Sequence, residues 1–152
     1  MRPGVVLGAH AARARAPLTS PPARPTSPLM PTLAQVALGG ALGASLRWGV
    51  GLGALRLFGP GFPVGTLAIN VLGSLLMGVA AALAARGSLP LAPLVMTGAI
   101  GGFTTFSAFS LETVALLERG RAGLAALYAG LSVALSVGAL ALGLALARRW
   151  LA

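Results

Sequence analysis

Cysteine, lysine and aspartate do not occur in this sequence of 152 residues, and charged residues make up only 9% of it. Without cysteine, the chain has neither disulfide bonds nor sulfur ligands for a metal. Two glutamates, Glu112 and Glu118, and a single histidine, His10, leave almost nothing for acid–base or metal-assisted catalysis. We therefore expect a protein that is not an enzyme.

Apolar residues account for 57% of the chain, which is more apolar surface than one core of this size can bury. The composition excludes a soluble enzyme, an acidic binding protein and a disordered chain, and it predicts a membrane protein. The formal charge of +9 comes from arginine alone. The arginines are scattered between apolar runs, which is typical of loops that flank membrane spans.

Residues 1–32 form a tail of different composition, with seven of the eleven prolines and four of the arginines. The tail has no apolar stretch long enough for a signal peptide, and its composition predicts disorder. Met30 stands just before the first apolar run, and we interpret it as the true start of the protein. Residues 33–152 then form the membrane domain.

Four apolar runs follow, each long enough to cross the hydrocarbon layer, which takes ~20 residues. They cover residues 33–58, 64–85, 91–117 and 122–147, and proline and glycine mark the short connectors between them. Short connectors make successive helices antiparallel. We predict an all-α membrane protein with four transmembrane helices and both termini on the same side.

The arginines outside the tail are shared equally between the two sides, leaving out the intramembrane Arg47. The side of the termini has Arg86, Arg148 and Arg149, and the other side has Arg56, Arg119 and Arg121. The positive-inside rule sets orientation by the difference between such counts. Because the two counts are equal, we predict dual topology, in which copies of the chain insert in both orientations. The arginines of a translated tail would bias the termini inward.

Small and polar residues recur at helical spacing in the first, second and fourth runs. These stripes are Gly39, Gly43 and Arg47, then Thr66, Asn70, Ser74 and Gly78, and finally Tyr128, Ser132 and Ser136. The glycines suit close packing, either within one chain or between two copies. The amide of Asn70 suits either an interhelical hydrogen bond or a pore. The hydroxyls of the fourth run either bond their own helix or line a path.

The third run contains a stretch of poor helix formers, Gly101-Gly102-Phe103-Thr104-Thr105. It is either a helix broken near the membrane midplane or a continuous helix whose threonines bond the preceding turn. In a broken helix, freed carbonyls can coordinate a cation. Two copies in an antiparallel dimer meet on their two-fold axis only near the midplane, so two such breaks would share one cation.

Phe106, Phe109 and Glu112 follow the same stretch at intervals of three residues, which puts two aromatic rings and a carboxylate on one helix face. Phenylalanines in a membrane helix normally face lipid or pack. The edge of an aromatic ring is positive, but the sequence alone gives no reason to assign these rings to an anion.

The chain resembles the small fluoride channels of bacteria, the CrcB or Fluc family, over about residues 33–150. The matching elements are Gly39-Gly40, Gly43-Ala44 and Arg47-Trp48, then Gly65-Thr66-Leu67, Asn70 and Gly73, and finally residues 101–107 with Phe109. Ala108 departs from the family, which often has threonine at that position.

The resemblance implies a dual-topology homodimer of the bacterial inner membrane, with two antiparallel pores that export fluoride passively. It implies that backbone carbonyls of Gly101 and Thr104 hold a central sodium ion, and that Arg47 is structural or lies near a vestibule. We expect the following residues along the anion pathway: Thr66, Asn70, Phe106, Phe109, Ser110, Glu112, Tyr128, Ser132 and Ser136.

Two other functions stay open. A small dual-topology drug–proton antiporter also has four short helices, but its mechanism needs an acidic residue in the first span, whereas Glu112 lies in the third. A non-transporting subunit of a membrane complex would suit the packing glycines, but it would leave the polar stripes and the phenylalanine pair without a purpose.

Overall fold

The computed structural model describes residues 29–151, which form helices joined by short turns, with no β-strand among them. Four helical stretches are long and apolar enough to cross a membrane, which confirms the predicted all-α fold with four spans. The helices are α1 (Leu29–Phe58), α2 (Val64–Ala85), α3 (residues 93–103, the π-helix Pro93–Ile100 continued by Gly101–Phe103), α4 (Phe106–Glu118) and α5 (Ala122–Trp150).

Helix α1 begins at Leu29, four residues before the predicted start of the first span. Pro31 lies in its first turn, where a backbone N–H has no helical partner and proline is tolerated. Helix α1 therefore already includes residues 29–32, and the domain boundary at residue 32 stays a prediction. The rest of the tail, residues 1–28, lies outside the described residues, and the start at Met30 stays a prediction.

Glycines with positive φ end three of the helices, as the turn signals indicate. They are Gly59, Gly87 and Gly120, with φ angles of 71°, 69° and 72°. At the end of α4, the Gly120 N–H donates to the Leu117 carbonyl and the Arg121 N–H to the Leu116 carbonyl, each at 2.9 Å, which is the pattern of a Schellman motif. A side chain would disfavour this backbone conformation.

Thr104 and Thr105 separate α3 from α4 within the third span. Their backbones are extended, with ψ of 158° at Thr104 and φ of −153° at Thr105. The Thr104 hydroxyl donates to the Ile100 carbonyl at 3.1 Å, and the Thr105 hydroxyl accepts the Ala108 N–H at 3.2 Å. The two side chains therefore satisfy backbone groups on both sides of the interruption.

Helix α1 packs on α3, and α2 packs on α5, without room for a side chain at the contact. A Cβ on Gly39 or Gly43 would overlap the backbone of α3, and a Cβ on Gly78 would overlap the Leu140 carbonyl of α5. The glycine face of α1 thus packs within the chain. Large apolar side chains elsewhere, including Leu42, Trp48 and Leu142, are exposed and suit contact with lipid.

Candidate functional site

The amide of Asn70 bonds the extended backbone between α3 and α4. Its Nδ2 donates to the Thr105 carbonyl at 2.9 Å, and its Oδ1 accepts the Thr105 N–H at 2.8 Å. Of the two alternatives for Asn70, the interhelical hydrogen bond is therefore present. An amide carries two N–H donors, so a second hydrogen of Nδ2 is left for another acceptor.

Arg47 of α1 lies beside the same interruption. Its Nε donates to the Gly102 carbonyl, near the end of α3, at 3.2 Å. Carbonyls at a helix C-terminus carry partial negative charge, so the guanidinium is favourable there. The sequence left the role of Arg47 undecided between structural support and a place near a vestibule. In the structure, Arg47 lies beside the end of α3.

Glu112 of α4 joins the polar stripes of α2 and α5. Its Oε1 accepts the Thr66 hydroxyl at 2.8 Å, and its Oε2 accepts the Tyr128 hydroxyl at 2.7 Å. Tyr128 is completely buried and Thr66 is nearly so. The sequence predicted all three residues in the anion pathway but not that they form one hydrogen-bonded cluster, which we call the Glu112 triad.

Four aromatic rings form a continuous row that includes Tyr128 of the triad. Ring centroids lie 5.4 Å apart between Phe106 and Phe109, 5.3 Å between Phe109 and Tyr128, and 5.6 Å between Tyr128 and Phe62. The Phe62 ring meets Tyr128 edge-on, with an interplanar angle of 83°. Sequence reasoning missed Phe62, because it lies in a connector where no periodic signal marks it.

Two cavities lie next to these residues. Most of the predicted pore residues line the one of ≈ 510 Å³, which we call the larger cavity. It is lined by Asn70, Ser74, Gly101, Thr104, Phe106, Phe109, Ser132 and Ser136, among others. The hydroxyl oxygens of Ser132 and Ser136 are buried and have no hydrogen-bond partner within residues 29–151. Buried hydroxyls are normally bonded, so these two are available to a ligand.

Two serines differ from the set of residues expected along the anion pathway. Ser110 donates to the Phe106 carbonyl at 2.9 Å, one turn earlier in α4, and does not line the larger cavity. Ser74 does line it, although it was not among the predicted pore residues. Ser74 belongs to the same predicted stripe as Asn70, one turn later on α2, and that position is the signal for its place in the cavity.

A smaller cavity of ≈ 390 Å³ follows along α2 and α4 on the far side of the triad. Thr66 and Glu112 line it, together with Arg119 at the end of α4 and residues from α1 and its connector to α2. The triad therefore stands between the two cavities. Within residues 29–151, no three histidine, aspartate or glutamate side chains form a cluster that could hold a metal.

Comparison with known proteins identifies the family. The family model described as CrcB-like protein, Camphor Resistance (CrcB), matches residues 34–144. The chain belongs to this CrcB family. The matched range contains every residue of the triad, of the aromatic row and of the predicted pathway.

Its relatives share sequence over most of the chain. The fluoride-specific ion channel FluC of Cereibacter sphaeroides (strain ATCC 17029 / ATH 2.4.9) is 58% identical over 124 residues, which cover 82% of this chain and 100% of the relative. The channel of the same name from Ruegeria sp. (strain TM1040) is 62% identical over 119 residues, covering 77% and 94%. The one from Agrobacterium fabrum is 48% identical over 122 residues, covering 78% and 98%. Together with the four apolar helices, these matches make the chain a multi-pass membrane protein of the CrcB family.

Proposed function

We propose that the chain forms a fluoride-selective channel that lowers cytoplasmic fluoride by passive export across the bacterial inner membrane. The observation that carries the proposal is the pair of buried, unpartnered hydroxyls of Ser132 and Ser136, which line one cavity with Asn70. Fluoride is small and strongly hydrated, so its dehydration must be offset by close hydrogen-bond donors. The names of the relatives support the same ion.

The phenylalanine pair fits an anion path that excludes bulk water. Phe106 and Phe109 both line the larger cavity, and their ring planes are inclined by 45°. Ring edges carry partial positive charge, so they can face an anion while they keep the path narrow and apolar.

One chain leaves this path incomplete. Phe106 is 79% exposed beside the larger cavity, which a second copy would enclose. The equal numbers of arginines at the two ends support an antiparallel partner, because a chain with no charge bias has no reason to choose one orientation. The assembly is then a homodimer with two antiparallel pores.

The extended backbone at Thr104 suits a structural sodium ion on the two-fold axis of that dimer. Backbone carbonyls of Gly101 and Thr104 from both copies would hold it, since carbonyl oxygens are the ligands available where a membrane helix is interrupted. When bound, the ion supplies positive charge beside an anion path. Exchange of sodium for a large organic cation is expected to weaken the dimer.

Efflux from liposomes loaded with fluoride or chloride tests the function. Rapid passive efflux of fluoride, with chloride retained, is the expected result. Proton-coupled movement of an organic cation instead would identify an antiporter. If neither fluoride nor an organic cation is transported, the chain is a non-transporting subunit of a membrane complex. Glu112, the carboxylate in the interior of the third span, does not favour the antiporter, because both of its oxygens accept hydroxyls and it lies outside α1.

A further inference from the structure

The smaller cavity opens at the end of the molecule where α1, α2, α4 and α5 are connected. Its lining runs from Gly59 and Pro63 of the first connector to Thr66 and Glu112 of the triad. Its volume of ≈ 390 Å³ is enough for a small anion together with several of its waters, each of which takes about 30 Å³ in the liquid. An ion could thus reach the triad while it is still hydrated.

The electrostatics of this cavity would be unfavourable for an anion without a cation. Glu112 stands at its inner end, and a carboxylate there repels a second negative charge. Arg119, which is the C-cap residue of α4, lines the same cavity. Its guanidinium makes no hydrogen bond or ion pair within the part of the chain that the structure describes. It is therefore free to face the cavity and offset the carboxylate.

We propose that Arg119 makes the smaller cavity an antechamber that gathers a hydrated small anion at the outer side of the Glu112 triad. This proposal rests on the proposed channel function. It identifies the smaller cavity as the entrance of the anion pathway and Arg119 as the positive charge that attracts the anion there. An arginine in a cleft with apolar walls raises the local concentration of anions relative to the same cleft with its carboxylate alone, and the effect falls as salt screens the charge.

The other arginines at this end provide the contrast. The Nη1 of Arg121 lies 3.5 Å from the carbonyl oxygen of Gly61, and Arg56 is exposed. Neither lines the cavity. Arg56→Gln therefore removes the same charge from the same end of the molecule without touching the antechamber, and it is the matched control for Arg119→Gln.

The experiment measures initial fluoride efflux from liposomes for the wild type, Arg119→Gln, Arg119→Lys and Arg56→Gln at low and high concentrations of an inert salt. We expect Arg119→Gln to slow efflux roughly three- to tenfold at low salt, with the difference shrinking at high salt. Arg119→Lys and Arg56→Gln should stay close to the wild type. Equal rates for Arg119→Gln and Arg56→Gln in a conducting protein would overturn the antechamber alone. A wild type that does not conduct fluoride would overturn the channel and the antechamber together.

Discussion

The side chain of Asn70 and the backbone of Thr105 exchange two hydrogen bonds, at 2.9 Å and 2.8 Å, across the interface of α2 with the third span. Thr105 is extended, so it lies outside the hydrogen-bonding pattern of both flanking helices. The amide supplies the donor and the acceptor that a helix would otherwise provide. Asn70 thus holds the interruption in place and also lines the larger cavity.

Removal of this amide should reduce both stability and transport. Asn70→Ala leaves the Thr105 N–H and carbonyl without partners, and each unsatisfied buried group costs about 1–3 kcal/mol. Asn70→Asp keeps an acceptor but loses the donor and adds a charge that repels an anion. We expect a lower unfolding temperature in detergent for Asn70→Ala and a large loss of fluoride efflux for both variants. Ser45→Ala is the control, because its exposed hydroxyl bonds only the preceding turn of α1. Wild-type efflux in both Asn70 variants would remove Asn70 from the pathway.

The Glu112 triad should behave as one unit. Thr66→Val and Tyr128→Phe each remove one hydroxyl from the carboxylate, at a cost of about 1–3 kcal/mol. Because both hydroxyls serve the same group, the double variant should differ from the sum of the single variants by at least about 0.5 kcal/mol. Unfolding in denaturant measures the cycle.

Thr113→Val is the matched control for the triad, since the Thr113 hydroxyl lies in the same helix but donates to the Phe109 carbonyl at 2.7 Å. It should change stability little. Strictly additive effects of Thr66→Val and Tyr128→Phe would mean that the carboxylate does not couple them.

The sequence predicts those parts of the molecule that depend on local signals. The four spans follow from the length of the apolar runs, and the turns follow from glycines such as Gly120, whose conformation disfavours any side chain. The triad depends on partners 46 and 16 residues from Glu112, and the Arg47 bond reaches Gly102, 55 residues away. Periodicity identifies the helix face of each residue but not the face it meets. The π-helical winding of Pro93–Ile100 has no sequence signal that we identify.

Phe106 should matter for transport but not for the fold. Its ring is mostly exposed in one chain, so Phe106→Ile removes little packing within the chain and replaces an aromatic edge with an aliphatic side chain. We expect fluoride efflux to fall sharply while the dimer persists in cross-linking and size-exclusion experiments. Leu111→Ile, an exposed residue of the same helix, should leave efflux unchanged. Normal efflux by Phe106→Ile would exclude its ring from the anion path.

Gly43 should tolerate no side chain, whereas Gly49 of the same helix should. A Cβ on Gly43 would overlap the Ala99 carbonyl of α3, but one on Gly49 would meet no atom within 4 Å. Gly43→Ala therefore forces α1 away from α3, and overpacking of this kind costs about 1–3 kcal/mol. Gly49→Ala should be neutral or stabilising by up to about 1 kcal/mol, because alanine is the better helix former. Unfolding temperatures in detergent compare the two, and equal values would contradict the close contact of α1 with α3.

The equal distribution of arginines predicts that residues 30–152, expressed without the preceding segment, insert in both orientations. The chain has no cysteine, so Ser88→Cys, at an exposed position in the connector after α2, provides a single labelling site. A membrane-impermeant maleimide applied outside the cell should label about half of the copies. A further Ala85→Arg substitution, at the same end of the bundle, should hold that end inside and lower the labelled fraction. The four arginines of residues 1–29 should act in the same direction when the full chain is expressed. A single orientation of residues 30–152 would contradict dual topology, because an antiparallel pair requires copies of both kinds.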